Sequence, residues 1–386
     1  MGWERRAPEV VEAPEPPVMM RWLLAAIVAV LVGVLLFVLH ASERLPWLQV
    51  LNIWALAGFP LLVWVLAFGA RAHMYGGALS HYQFLEAQAR EAEQSWQGWA
   101  QRSLAVAASC VLLPDQVSAS VLVQNSSALP VRTDTVRRLA ALPAREARAA
   151  AGLQMLIQAL APSLQTLPVG QDLRITLLSD VAPDHYQALR DDVQKTWSAD
   201  PNLSQPMMIS VVNELSFQWV DDVFKTASTT IELVLVLQVC GKDTYSDGLA
   251  ALLLCPDALA QALKLPVTAG LLRPMPLSID ALDSEFPLFV QTQTSACKAT
   301  GLLADGADWH PITGKILTAA AGHGTSLQAE QQWFLEGLCG RPGPLAHWLV
   351  TALGVEIVRH QRQPLLVLAR EKSQRWISTV TTGELA

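Results

Sequence analysis

The sequence predicts an α/β protein carried behind an N-terminal two-helix transmembrane hairpin. Two charge-free apolar runs before residue 71 predict the hairpin, and an alternation of short apolar runs with amphipathic stretches predicts the α/β layers. A restart of that alternation beyond Pro266 divides the rest into two α/β units. The expected organisation is a disordered tail over 1–18, the hairpin over 19–75, a stalk helix with a first α/β domain over 76–265, and a second α/β domain over 266–386.

The hairpin comes first. Of the 386 residues 52% are hydrophobic and only 16% charged, against about a quarter charged in an ordinary soluble domain. The excess lies in Trp22 to Leu39 (WLLAAIVAVLVGVLLFVL) and Trp47 to Ala70, both free of charge. At about 1.5 Å per residue each stretch with its flanks covers a hydrocarbon core of about 30 Å. Trp47, Trp54 and Trp64 are candidate interface anchors. A second apolar segment following at once argues against a cleaved signal peptide. Arg5, Arg6 and Arg21 precede the first span, Arg71 and Arg90 follow the second, and Arg44 lies between. That bias places both ends in the cytoplasm of a bacterial inner membrane. The tail from Ala7 to Pro17, rich in proline and glutamate, is expected to be disordered.

Beyond the membrane, Ser80 to Ala105 reads as a helix leaving the bilayer, and the apolar stretch Ala105 to Leu113, stopped by Pro114, as a first buried strand or a helix. A helix over Glu146 to Leu160, a strand at Leu173 to Leu178, a helix over Asp184 to Trp197 and a strand at Met207 to Val212 follow. Next come a helix over Phe217 to Thr226, a long buried strand at Ile231 to Val239, a strand at Leu249 to Leu254 and a helix over Asp257 to Leu265. Strands apolar on both faces are those that helices cover on both sides. After Pro266 the pattern predicts a strand at Val267 to Leu272, a helix over Asp280 to Thr294, a strand at Lys315 to Ala320, helices over Ser326 to Leu338 and Ala346 to Leu353, and a hairpin of Pro364 to Ala369 with Trp376 to Val380.

A net charge of −7 without a clustered basic run argues against nucleic acid as partner. The five cysteines, Cys110, Cys240, Cys255, Cys297 and Cys339, contain no CxxC pair and read as reduced, buried thiols of a cytosolic body. No GxSxG elbow, phosphate loop or HExxH occurs, and Gly322-His323-Gly324 lacks the third glycine of a dinucleotide fingerprint. Cys297 with His310 and His323 is the constellation suited to acyl transfer, a thiol nucleophile with two imidazoles to manage protons and an oxyanion. Packing or surface roles are the simpler account of all three. Asp221-Asp222 and Asp305 with Asp308 pair carboxylates without a third ligand and read as solvated charges. Trp219, Trp333 and Trp348 sit at helical positions suited to packing, while Trp309 and Trp376, in or beside loops, are the candidates for contact with a partner protein.

Two resemblances follow. The alternation from Asp247-Gly248 to Leu254, with the segment Ala319 to Gly324, resembles a thiolase or ketoacyl synthase sheet, so the two units are expected to be thiolase-like in topology. The paired hairpin, the stalk SWQGWAQRSLAVAASCVLLPDQVSAS from Ser95 to Ser120, the two α/β units and QPLLVLAREKSQRW from Gln363 to Trp376 resemble, over nearly the whole chain, the type VI secretion lipase adaptor proteins. That second resemblance implies a non-enzymatic adaptor that binds a toxic phospholipase effector and loads it onto a VgrG spike. It assigns no catalytic residue, no cofactor and no metal. The alternatives are an immunity protein against a secreted effector and a degenerate thiolase-like acyl-transfer enzyme.

Overall fold

The computed structural model describes residues 3–4, 12–43, 49–125, 129–143, 147–168, 170–226 and 228–384. Residues 1–2 and 5–11 of the N-terminal tail, which include Arg5 and Arg6, lie outside them, as do Arg44 and Trp47. The chain divides into two compact units, Met1–Ser95 and Trp96–Ala386.

The first unit contains α1 (Met19–Ala41) and all but the end of α2 (Ile53–Gln101), two helices long and apolar enough to cross a membrane. Their close approach follows from glycine: a Cβ on Gly33 would lie 2.5 Å from the Ala57 carbonyl oxygen. Across the same contact the Trp64 indole N–H donates to the Trp22 carbonyl (2.9 Å), and the Trp22 and Phe68 rings meet edge to face at 5.3 Å. Asn52 starts α2, its side-chain oxygen accepting the Trp54 N–H (2.9 Å). The sequence suggests a separate helix leaving the bilayer, whereas span and stalk form one helix of 49 residues, about 73 Å long at 1.5 Å per residue.

The second unit is built from β1 (Ser103–Leu112), α3 (Ala119–Asn125), α4 (Arg148–Leu164), β2 (Leu173–Ser179), α5 (Tyr186–Ser198), β3 (Met208–Val212), α6 (Trp219–Lys225), β4 (Ile231–Gln238) and β5 (Gly248–Pro256). It continues with α7 (Asp257–Leu263), β6 (Ala269–Leu272), β7 (Met275–Leu277), α8 (Leu282–Thr292), β8 (Gly301–Ala304), α9 (His310–Gly322), β9 (Gln332–Phe334), α10 (Leu335–Cys339), α11 (Ala346–Gln361), β10 (Leu365–Glu371) and β11 (Gln374–Thr381).

All strands belong to one 11-stranded sheet ordered β3-β2-β4-β5-β1-β6-β11-β10-β8-β9, with β7 beside β11. Setting β7 aside and numbering each half by itself, the first half runs third-second-fourth-fifth-first and the other the same order reversed, so the two halves repeat one topology about the antiparallel β1–β6 junction. In each half the fifth strand alone runs against the rest: β5 is antiparallel to β4 and β1, and β11 to β10 and β6. β2 is parallel to β3 and β4, and β8 to β9 and β10.

The run from Ile231 to Gln238 shows why these sequences make central strands. Val234 and Val236 enter one core cluster, with α6 and α11, while Leu233, Leu235 and Leu237 enter another, with α4 and α5. The period of two buries both faces. α11 is enclosed from Ala346 to Val358 without an exposed residue, which its apolar circumference requires.

The second half departs from expectation in two places. The run Lys315 to Ala320 is not a strand but part of α9, and the parallel strand is the four-residue β8. A short apolar run is ambiguous by periodicity, and the alanines and leucine of this one favour helix. The helix expected over Ser326 to Leu338 is replaced by β9 and α10.

Candidate functional site at the carboxyl ends of the parallel strands

Open α/β sheets bind ligands outside the carboxyl ends of their parallel strands. Here the loop 213–218 follows β3, the loop 305–309 follows β8, and the turn 372–373 joins β10 to β11. Side chains connect all three. Glu371 Oε2 accepts from the Ser216 hydroxyl (3.0 Å) and the Phe217 N–H (3.1 Å), and Lys372 Nζ donates to Glu214 (2.7 Å). On the other flank the Arg370 N–H donates to Asp305 (2.6 Å) and its guanidinium to Asp308 (2.8 Å). The β10–β11 hairpin thereby joins loops from both halves of the sheet.

The first turn of α11 meets the same place. His347 Nε2 lies 3.1 Å from the Leu215 carbonyl oxygen, which also accepts the Trp348 indole N–H (2.8 Å). A carbonyl can only accept, so Nε2 carries the proton and Nδ1 the bare lone pair. Nδ1 is buried without a hydrogen bond. The residue is 1% exposed, and burial holds its pKa below the ordinary histidine value, so the ring is neutral at pH 7. Phe217 packs at ring-centroid distances of 6.2 Å from His347, 5.6 Å from Trp348 and 6.3 Å from Trp376. An uncharged imidazole and a hydroxyl loop thus share an apolar aromatic surround.

The approach to α11 depends on glycine. Gly340 has φ +87°, and a Cβ there would lie 2.4 Å from the Thr135 carbonyl oxygen. Three residues on, Gly343 abuts the buried Gln238, whose side chain accepts the Leu345 N–H (3.0 Å) and donates to the Ser246 carbonyl (2.8 Å). The end of β4 therefore fixes where α11 begins.

The residues proposed from sequence lie elsewhere. Cys297 sits in the short helical turn Thr294–Lys298, its thiol directed at the Val290 carbonyl (3.8 Å). His310 and His323 stand at opposite ends of α9, about 20 Å apart by helical rise, so they cannot serve one thiol together. His310 stacks on Phe334 at 3.7 Å. Burial raises all five thiols, Cys110 and Cys240 to about 11, Cys255 and Cys339 to about 12, and Cys297 in direction. None supplies a thiolate at neutral pH.

The carboxylates are structural. Asp221 pairs with Arg273 and Lys225. Asp305 is no solvated charge: it is 4% exposed, accepts the Trp309 indole N–H (2.8 Å) and is pushed up to about 6 by burial. Trp309 is buried on that bond under the Arg375 guanidinium, 5.5 Å from its ring, and Trp376 is buried against Phe217. Both indoles are buried, Trp309 in the turn after β8 and Trp376 on the inner face of β11, so neither offers an exposed face. Sequence reading passed over His347, although a lone imidazole opening an apolar helix after a Gly-rich turn was a usable signal. Ser216 carried none.

No family model matches the chain, and no curated protein matches it. Solved structures do. A type II PKS acyl-carrier protein in complex with its ketosynthase bound to the hexaketide aligns at 10% identity over 73% of this chain and 99% of that chain, with a TM-score of 0.50. The OzmH KS8 oxazolomycin ketosynthase domain of Streptomyces albus aligns at 12% identity over 74% and 97%, also at 0.50. Xanthomonas campestris OleA bound with cerulenin aligns at 9% over 74% and 98%, at 0.49. The fold is thiolase-like, as the repeated strand order indicates.

These neighbours correct the functional expectation. The body has the fold of the ketosynthases named above, so the non-enzymatic effector-loading role and the assignment as a non-enzyme are both withdrawn. The adaptor resemblance rested on the layout of hairpin, stalk and two α/β units, an arrangement that two long apolar helices ahead of a thiolase-like fold also give.

Proposed function

We propose that this chain is a membrane-tethered acyl-transfer enzyme of thiolase-like fold that takes acyl groups from thioesters onto an oxygen nucleophile. One observation carries the reading: the loop 213–218 touches the β10–β11 hairpin through Ser216 and Glu371 and the first turn of α11 through the Leu215 carbonyl and His347, which puts a hydroxyl and a neutral imidazole on either side of Phe217. In the step envisaged, Ser216 Oγ attacks the thioester carbonyl carbon, an oxygen ester forms, and the carbon–sulfur bond breaks. The hydroxyl proton passes by way of the neutral imidazole to the departing thiolate, which leaves as thiol. The raised thiols argue against a cysteine acceptor. The ketosynthase neighbour bound to an acyl-carrier protein supports a carrier-borne thioester as donor.

We place the body on the cytoplasmic face of a bacterial inner membrane. The arginines flanking the spans support this, as does the supply of acyl thioesters in that compartment.

The test is decanoyl-coenzyme A incubated with the full chain in nanodiscs, with thiol release followed in time. Ser216→Ala is expected to abolish release. His347→Ala is expected to slow it about 10²-fold or more, the usual scale for a general base, and Cys297→Ala to leave it unchanged. Release by Ser216→Ala at the wild-type rate overturns the reading.

A further inference from the structure

The hydrogen-bonding capacity of the Ser216 loop is already used. Ser216 Oγ accepts the Gln218 N–H (3.2 Å) and donates to Glu371, whose same oxygen takes the Phe217 N–H. An acyl carbonyl arriving at Ser216 needs donors of this kind, and a carboxylate of the chain holds them. The other side-chain contacts described between the hairpin and this loop are the packing of Phe217 on Trp376 and the ion pair of Lys372 with Glu214, whose side chains are 74% and 41% exposed. Such exposed pairs contribute little, so Glu371 is the main polar tie on this side.

We propose that Glu371 is a built-in occupant of the acyl site, so that the resting chain is self-occluded and a ligand enters by displacing this carboxylate. The ligand class follows from what is displaced and what surrounds it. The incoming group must present an acceptor oxygen to the Ser216 hydroxyl and the Phe217 N–H, and an apolar chain that parts the packing of Phe217, Trp348 and Trp376, which are buried against one another in the resting chain. A fatty acyl thioester or a free fatty carboxylate meets both requirements, whereas a phosphate or sugar meets only the first. The inference rests on the acyl-transfer reading for its substrate, but the occlusion itself is measurable without turnover.

The experiment uses the full chain in nanodiscs, wild type beside Glu371→Ala and Glu371→Gln, with decanoyl-coenzyme A as reactive probe and decanoate as unreactive one. Losing a hydrogen bond to a charged group shifts an equilibrium by about tenfold or more. Glu371→Ala is therefore expected to raise thiol release from decanoyl-coenzyme A about tenfold, and Glu371→Gln less, because the amide keeps an acceptor oxygen. Amide exchange over 213–218 gives the independent readout. It is expected to be faster in Glu371→Ala than in wild type, and decanoate is expected to restore protection in the variant at concentrations that leave wild type unaltered.

If no variant releases thiol while decanoate still protects only the variants, acyl transfer is wrong and occlusion stands. Equal exchange over 213–218 in wild type and both variants overturns the occlusion. Decanoate protecting all three at the same concentration does so as well. Glu371→Gln, which conserves shape, keeps the comparison available if the alanine variant does not fold.

Discussion

Replacing Glu232 by glutamine is expected to stabilise the body at alkaline pH, although it removes an ion pair. Glu232 and Arg174 are register partners on β4 and β2, with Nη1 2.9 Å from Oε1. Glu232 is 4% exposed, while the Arg174 side chain, 35% exposed, retains water. Burial, acting against the attraction of Arg174, pushes the Glu232 carboxyl up from 4.5 to about 7. Between those values the folded chain keeps a proton that the unfolded chain has released, so stability falls as pH rises through the window. At about 1.4 kcal/mol per pKa unit the loss is about 3 kcal/mol, complete near pH 8. Glutamine keeps the acceptor oxygen and has no charge to bury. Tryptophan-fluorescence melting of the full chain in nanodiscs at pH 4, 6 and 8 is the assay. Near pH 4 the variant and wild type should melt within a degree or two. At pH 8 the variant should melt higher, by about 6 °C on the usual scale of about 2 °C per kcal/mol for a body of this size. A variant that melts lower at pH 8, or by the same difference at all three pH values, refutes the reasoning and makes the pair a net stabilising contact.

Two further outcomes are expected. Asp247, with no exposed side-chain surface, is held by Arg138 (2.8 Å), by Arg148 and by the Leu139 N–H (2.9 Å); Asp247→Ala strands two guanidinium groups and should cost about 3–5 kcal/mol in chemical denaturation, whereas a cost under about 1 kcal/mol would show that water replaces the carboxylate. An alkaline-phosphatase fusion at the C-terminus should be inactive in cells, and an active one would reverse the orientation inferred from Arg21, Arg71 and Arg90.

The fold was legible where burial imposes composition. IELVLVLQV can only be a strand covered on both faces, and QPLLVLAREKSQRWISTV shows its hairpin through two apolar runs around a charged turn. The two long apolar helices were legible because each charge-free run is long enough to cross a membrane. Legibility failed at α9 and β8: four residues, GLLA, form the parallel strand, while the longer apolar run beside them coils into the helix that covers the sheet. Length told against the true strand, and only the tertiary pairing with β10 decides it. The site was less visible. Ser216, His347 and Glu371 are distant in sequence, occur in no short motif and are linked only through the loop 213–218, which bonds Glu371 at the end of β10 and meets His347 on α11 through the Leu215 carbonyl. Cys297 attracted notice by residue type, yet burial leaves its thiol protonated and its suggested histidines at opposite ends of a helix.

The most direct measurement is peptide mapping of the full chain after brief exposure to decanoyl-coenzyme A, to find the residue that carries the decanoyl group. Attachment at Ser216, lost on acid quench of Ser216→Ala and accumulating faster in Glu371→Ala, is the result this account predicts. A decanoyl group on a cysteine, or an unmodified chain in all three samples, would contradict it.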